Sequence, residues 1–319
     1  AAAWPGRSAS SAAIRARAEG QSASDTRTMI ASASAIAVVP VSQAVPMSMG
    51  DEFHGFATNL DEELARIEDS KHLLAEVNMG ATAIGTSVNA PPGYPELVVK
   101  YLCEVTGLEL KLATDLVEAT SDTGAYVQLS GVIKRTAVKL SKICNDLRLL
   151  ASGPRAGFNE INLPQLQPGS SIMPGKVNPV IPEVVNQSAF FVIGMDLTVT
   201  LAASAGQLQL NVMEPVLGYA LFSSIKTMEN AVIALREKCV LGITANTERT
   251  RDMVLGSLGI VTQLNPILGY KMCSKIAREG YEQNKSIHQI VVQEKKLLTQ
   301  EKWDEVFTLE NLINPTFIR

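Results

Sequence analysis

Between Gly169 and Pro179 the chain reads Gly-Ser-Ser-Ile-Met-Pro-Gly-Lys-Val-Asn-Pro, and Glu183 follows shortly after. Two hydroxyls, an ammonium and a carboxamide thus share a segment that its prolines and glycines keep out of regular structure. Such a set suits capture of a carboxylate and removal of a proton beside it. The carbanion formed is tolerable only when its charge moves onto carboxylate oxygens as an enediolate, met by donors already in place. Lys176 would neutralise that charge, Asn178 would donate from its amide, and backbone N–H groups of Gly169 to Ser171 would add to them. A helix starting near Pro179 would turn its positive end toward the loop. Ser170 or Ser171 would be the base. A serine hydroxyl is a very weak acid, so its alkoxide needs strong local support. Glu183 either pairs with a cation or simply favours the helix N-terminus. A nucleophilic serine hydrolase is the competing chemistry. It lacks the strand–Gly-x-Ser-x-Gly–helix setting, and no histidine is obviously placed for it.

The elements that must position this loop read as helices. From Asp115 to Ala151, apolar Tyr126, Leu129, Ile133, Ala137, Leu140, Cys144 and Leu147 recur at steps of three and four, with Lys134, Arg135, Lys139 and Lys142 largely off that stripe. A helix of that span would be on the order of 50 Å long. It predicts an elongated bundle completed by other subunits. Ser152 to Pro182 breaks the pattern and reads as a long loop, of a length that is usually functional or disordered. A second long helix follows, with Pro182 in its first turn. A third runs from Gly206 to about Val240, bent near Pro215. Beyond Gly242 the helices shorten, over about 247–257, 263–281, 286–293 and 300–308.

Composition narrows the classes. Hydrophobic residues make up 46% and aromatics 5% of the 319 residues, a balance that favours closely packed helices over sheets. A net charge of −4 offers no basic surface for nucleic acid. The four cysteines (Cys103, Cys144, Cys239, Cys273) are scattered and fit a reducing compartment. His54, His72 and His288 lie far apart, which argues against a histidine metal site and suits surface residues. The run from Val180 to Ala205 carries Glu183, Asn186, Gln187 and Asp196, too polar for a lipid-facing span. Gln209 and Asn211 suit polar contacts in the bundle centre or ordinary helix packing.

Residues 1–41 stand apart. They are Ala/Ser-rich, with Arg7, Arg15, Arg17 and Arg27 against Glu19 and Asp25, and show no sustained periodicity. They read as an unmatched, disordered extension, with a mitochondrial or plastid transit peptide as the functional alternative. The domain organisation expected is therefore 1–41 unmatched, 42–245 a long-helix bundle domain carrying the loop, and 246–319 a small helical C-terminal domain.

The run Gly169 to Pro179 resembles the signature loop of the fumarase/aspartase superfamily, of the form Gly-Ser-Ser-x-Met-Pro-x-Lys-x-Asn. The similarity extends from about Ala44 to the C-terminus. Gly80–Thr86, Glu118–Asp122, Ser152–Gly157, Ile181–Gln187 and Gly206–Pro215 are also similar, and the fourth and fifth are closest to the aspartase branch. The resemblance implies an all-α subunit whose long helices join those of other subunits in a homotetramer, with active sites drawn from several chains. It implies reversible conversion of L-aspartate to fumarate and ammonia without an organic cofactor. The cytoplasm is the compartment expected from the cysteines, or a mitochondrion or plastid if the first residues are a transit peptide. By motif position Ser170 matches the base, on a mobile loop that closes over substrate. Ser171, Lys176 and Asn178 match substrate-contacting residues, and Glu183 matches a supporting acid. Fumarate hydratase is the alternative activity. A substrate-binding motif of the form Gly-Arg-Thr-(His or Gln) is expected before Gln43–Met47, where the chain reads Ala37-Val38-Val39-Pro40. The superfamily's N-terminal domain likewise has no counterpart, as in a truncated chain. The expectation is little lyase activity from this chain alone, or a silent subunit that assembles with complete ones.

Overall fold

The computed structural model describes residues 46–313 and the backbone of Ile36–Ala37. Of the segment 1–41, expected to be disordered, only strand β1 (Ile36–Ala37) falls within the described residues, and it pairs antiparallel with β2 (Met47–Ser48). The chain divides into two compact units. The first holds residues up to Phe56, Leu150–Asn162 and Ile243 onward; the second holds Ala57–Leu149 and Leu163–Gly242. All strands among the described residues are two residues long, so the fold is helical as the composition predicts.

Helix α1 (Met49–Ser70) opens on a reciprocal cap. Ser48 Oγ accepts from Asp51 N at 3.0 Å, and Ser48 N donates back to the Asp51 carboxylate at 3.2 Å. In the second unit follow α2 (Tyr94–Thr106), α3 (Glu118–Ser121), α4 (Gly124–Leu150), α5 (Val180–Ser204) and α6 (Glu214–Lys238). The single helix expected from Asp115 to Ala151 is two. Asp115 Oδ1 accepts from Val117 N and Glu118 N to start α3, and Asp122 Oδ2 accepts from Gly124 N to start α4. The 27 residues of α4 make a rod of about 40 Å. Ile133, Ala137, Leu140, Cys144 and Leu147 are buried on it as the stripe predicts, whereas Tyr126 at its start is exposed.

Helix α6 also departs from expectation. Residues Gly206 to Met213 form a turn, and Pro215 lies in the first turn of α6 instead of bending it. There the missing proline N–H has no intrahelical partner to lose. Asn211, fully buried, holds the turn by donating to Ala202 O and Ala203 O and accepting from Met213 N. Gln209 is exposed.

In the first unit, β3 (Ile161–Asn162) pairs antiparallel with β4 (Thr244–Ala245). Beside it, Asn162 Nδ2 donates to Asn246 Oδ1 at 2.7 Å, and Asn246 Nδ2 donates to Asn159 O at 2.9 Å. Of the shorter helices expected after Gly242, those over 247–257 and 300–308 are present as α7 (Thr247–Gly256) and α10 (Gln300–Val306). The one expected over 263–281 is split at Gly269 (φ +76°) into α8 (Asn265–Leu268) and α9 (Tyr270–Gln283). The stretch expected over 286–293 forms a π-helix at Gln289–Glu294, and α11 (Leu309–Ile313) follows α10. They enclose a core of Val254, Ile260, Leu264, Ile276, Ile290 and Trp303. His54 and His72 are exposed; His288 rests edge-on against Trp303.

Candidate active site

The loop is a closed hairpin in the second unit. Gly169 N donates to Lys176 O at 2.8 Å, Pro168 pairs antiparallel with Val177, and Lys176 N donates to Met173 O at 3.2 Å. Two glycines make the tight reversal possible. Gly175 sits at φ +78°, and a Cβ on Gly169 would come within 2.6 Å of Lys176 O. The hairpin borders a cleft of about 420 Å³ lined by Gln165, Gln167, Ser170 and Lys176 among others.

Ser170 Oγ accepts hydrogen bonds from Ile172 N at 3.1 Å and Met173 N at 3.3 Å. Donors aimed at an oxygen favour its anionic form, and the same contacts to the second and third residues on are the ordinary hydrogen bonds of a serine turn. Asn178 Nδ2 donates to Gly169 O at 3.3 Å. Ser170 and Asn178 are half-buried, while Ser171 and Lys176 are exposed. The fold therefore gathers Ser170, Ser171, Lys176 and Asn178 into one hairpin. Helix α5 begins directly after it, with Val180 N bonded to Asn178 O at 2.9 Å. Glu183 stands in the first turn of α5, its N–H donating to Pro179 O at 3.1 Å, and among the described residues its side chain has no hydrogen bond or ion pair to the hairpin. Its placement suits the positive end of the helix.

Polar side chains further along fix α5 and α1 against α4, and spacing alone did not reveal them. Asn186 Nδ2 donates to Ser141 O at 3.0 Å and Ser141 Oγ at 2.8 Å, and its Oδ1 accepts from Arg148 at 3.3 Å. Buried Asp196 accepts from Ser130 Oγ at 2.8 Å and Lys134 Nζ at 2.6 Å. Glu63, whose side chain is 2% exposed, takes both Arg135 Nε and Nη2 at 2.8 and 2.9 Å and Lys139 Nζ at 2.6 Å. Lys142 pairs with Asp146. The four cations off the apolar stripe are thus charge-compensated. Burial pushes the Glu63 carboxyl up, but the hydrogen bonds and charges of Arg135 and Lys139 outweigh it and hold the group below the usual carboxylate range. Burial pushes the Cys144 thiol up to about 12, with Cys239 adding to it, and the Cys239 thiol up to about 11. Burial of this kind disfavours the thiolate, the nucleophilic form.

Among the described residues α5 is the one helix long and apolar enough to cross a membrane. Its buried Asn186 and Asp196 are hydrogen-bonded within the helical packing. Among the described residues no cluster of three or more His, Cys, Asp and Glu could hold a metal ion.

Comparison with known proteins agrees with this architecture. Residues 41–194 match the family described as Lyase, and residues 260–314 match the family described as Fumarase C C-terminus. The chain belongs to the fumarase/aspartase superfamily. It is 60% identical over 274 residues to an aspartate ammonia-lyase of Corynebacterium glutamicum, a match covering 86% of this chain and 52% of that one. It is 57% identical over 274 residues to an aspartate ammonia-lyase of Escherichia coli K12, covering 86% and 57%. The chain thus spans little more than half the length of these relatives. Among solved structures it is similar to a fumarate lyase:delta crystallin from Brucella melitensis bound to cobalt, with TM-score 0.81 and 43% identity over 90% of this chain and 65% of that one. It is also similar to a class II fumarase from Schistosoma mansoni, with TM-score 0.83 and 31% identity over 91% and 64%.

Proposed function

We propose that this chain carries the base-bearing loop of an aspartase-type lyase, which interconverts L-aspartate with fumarate and ammonia. The observation that carries the reading is Ser170 Oγ held by two backbone N–H groups at the turn of the hairpin. As an alkoxide it would take a proton from the carbon next to the substrate's β-carboxylate. The electron pair left behind spreads onto that carboxylate as an enediolate, and its collapse expels ammonia. Ser171, Lys176 and Asn178 would receive the carboxylate, with the N-terminus of α5 adding positive potential. Glu183 would support the site from the first turn of that helix. Ile172, 87% exposed at the hairpin's tip, suits a lid that closes over substrate and excludes water. The reading calls for no cofactor.

Aspartate is favoured over malate because the aspartate ammonia-lyase relatives are 60% and 57% identical, against 31% for the fumarase. In this reading residues 42–245 act as the bundle domain with the loop, residues 246–319 as the C-terminal domain, and the assembly is a cytoplasmic homotetramer. Support for assembly comes from apolar faces left in solvent: Phe190, Leu197 and Leu201 on α5, and Tyr219, Phe222 and Ile225 on α6.

The test mixes the purified chain with a full-length aspartate ammonia-lyase relative whose serine matching Ser170 has been replaced by alanine. Fumarate absorbance rising from aspartate, but not from malate, supports the reading. Fumarate from malate alone would point to hydratase chemistry. Co-assembly without turnover on either substrate would leave a silent subunit.

A further inference from the structure

We infer that Asn178 is the latch of the hairpin, a positioning residue that pins the Gly169–Ser170 peptide before any substrate arrives. Residues facing each other as a hydrogen-bonded antiparallel pair exchange two bonds, each N–H meeting the other's C=O. Gly169 and Lys176 exchange only one. Gly169 N donates to Lys176 O at 2.8 Å, but Lys176 N is diverted to Met173 O at 3.2 Å to close the turn. The Gly169 carbonyl is thereby left without its ladder donor. The Asn178 carboxamide fills the gap, with Nδ2 on Gly169 O at 3.3 Å.

The Gly169 peptide unit is consequently held from both sides, its N–H by Lys176 and its C=O by Asn178. The next residue is Ser170, whose Oγ must stay in reach of Ile172 N and Met173 N. Loss of the latch lets the Gly169–Ser170 peptide rotate and draws Ser170 off those donors. The role is distinct from contact with substrate, because the bond is made within the chain itself. Its catalytic consequence rests on the reading of Ser170 as the base; the latch itself does not.

Hydrogen–deuterium exchange on the full chain, without ligand, tests it on the peptide spanning Gly169 to Val177. A net hydrogen bond is worth enough to predict about fivefold faster exchange there in Asn178→Ala and Asn178→Asp. Asn178→Gln, which keeps a carboxamide donor, should stay close to the parent chain. Peptides from α4 and α6 should be unchanged, which separates a loosened hairpin from a loosened fold. Should Asn178→Ala disturb α4 or α6, the comparison of Asn178→Asp with Asn178→Gln decides. Hairpin exchange equal in all variants would overturn the latch. In mixed assemblies with the serine-less relative, Asn178→Ala should lower kcat with KM little changed. A rise in KM alone would mean that Asn178 serves only as a substrate contact. Faster exchange with no turnover in any assembly, the parent chain's included, would uphold the latch while removing the aspartase reading.

Discussion

Glu63 offers a quantitative test of how the second unit is held together. Its carboxylate is 2% exposed and accepts a bidentate pair from Arg135 and a third bond from Lys139. Glu63→Gln keeps the shape and removes the charge. Charge-assisted hydrogen bonds contribute roughly 1.5–3 kcal/mol each, and breaking a buried pair can cost about 3–5 kcal/mol. Both cations reach solvent, with 46% of the Arg135 side chain and 23% of the Lys139 side chain exposed, so they recover hydration once released. The net loss should be about 2 kcal/mol. With a urea slope of roughly 2–3 kcal/mol/M, the unfolding midpoint should fall by about 0.7–1 M at pH 7. The effect has a defined pH dependence. The folded-state pKa lies below the ordinary carboxylate value, so the stabilisation is present above the unfolded pKa and lost as pH falls through the folded one. The gap between parent and Glu63→Gln should therefore be complete at pH 6–7 and shrink below about pH 4. Equal midpoints at pH 7, or a gap that stays constant into acid, would refute the account of this cluster.

Two further outcomes follow from burial and exposure. Leu197→Asp and Phe222→Asp, at positions 60% and 76% exposed on α5 and α6, should leave the circular dichroism of the chain intact while shifting sedimentation away from a species four times the 34.2 kDa chain mass. An unchanged sedimentation profile in both would separate those faces from assembly. Among the four thiols, half-buried Cys103 should react with a thiol reagent at pH 8, while Cys144, Cys239 and Cys273 stay protected until unfolding because burial holds their thiolates back. Rapid labelling of all four in the folded chain would contradict that placement.

Much of the helical frame was legible because its signals are local. The three-and-four spacing of Ile133, Ala137, Leu140, Cys144 and Leu147 marks a buried stripe, and the structure buries all five. The misread boundaries were also written locally, in polar residues that a periodicity reading passes over. Asp115 and Asp122 each cap a helix start, and Asn211 ties the turn that precedes Pro215. The long-range ion pairs were not legible. Glu63 meets Arg135 across 72 positions and Asp196 meets Lys134 across 62, distances over which spacing carries no information. At the hairpin the residue types were readable, but their hydrogen bonds depend on the turn itself. The same side chain, Asn178, reads as a substrate donor in sequence and is bonded to Gly169 O in the structure.

The account depends on Ser170 as the group that removes the proton. The direct measurement compares this chain with its Ser170→Ala form, each mixed with a full-length relative lacking the matching serine, and follows fumarate formed from aspartate. The account predicts turnover restored by the parent chain and at least a hundredfold less with Ser170→Ala, in line with loss of about 10²–10⁴ from removing a positioned base. Equal restoration by both forms would contradict it.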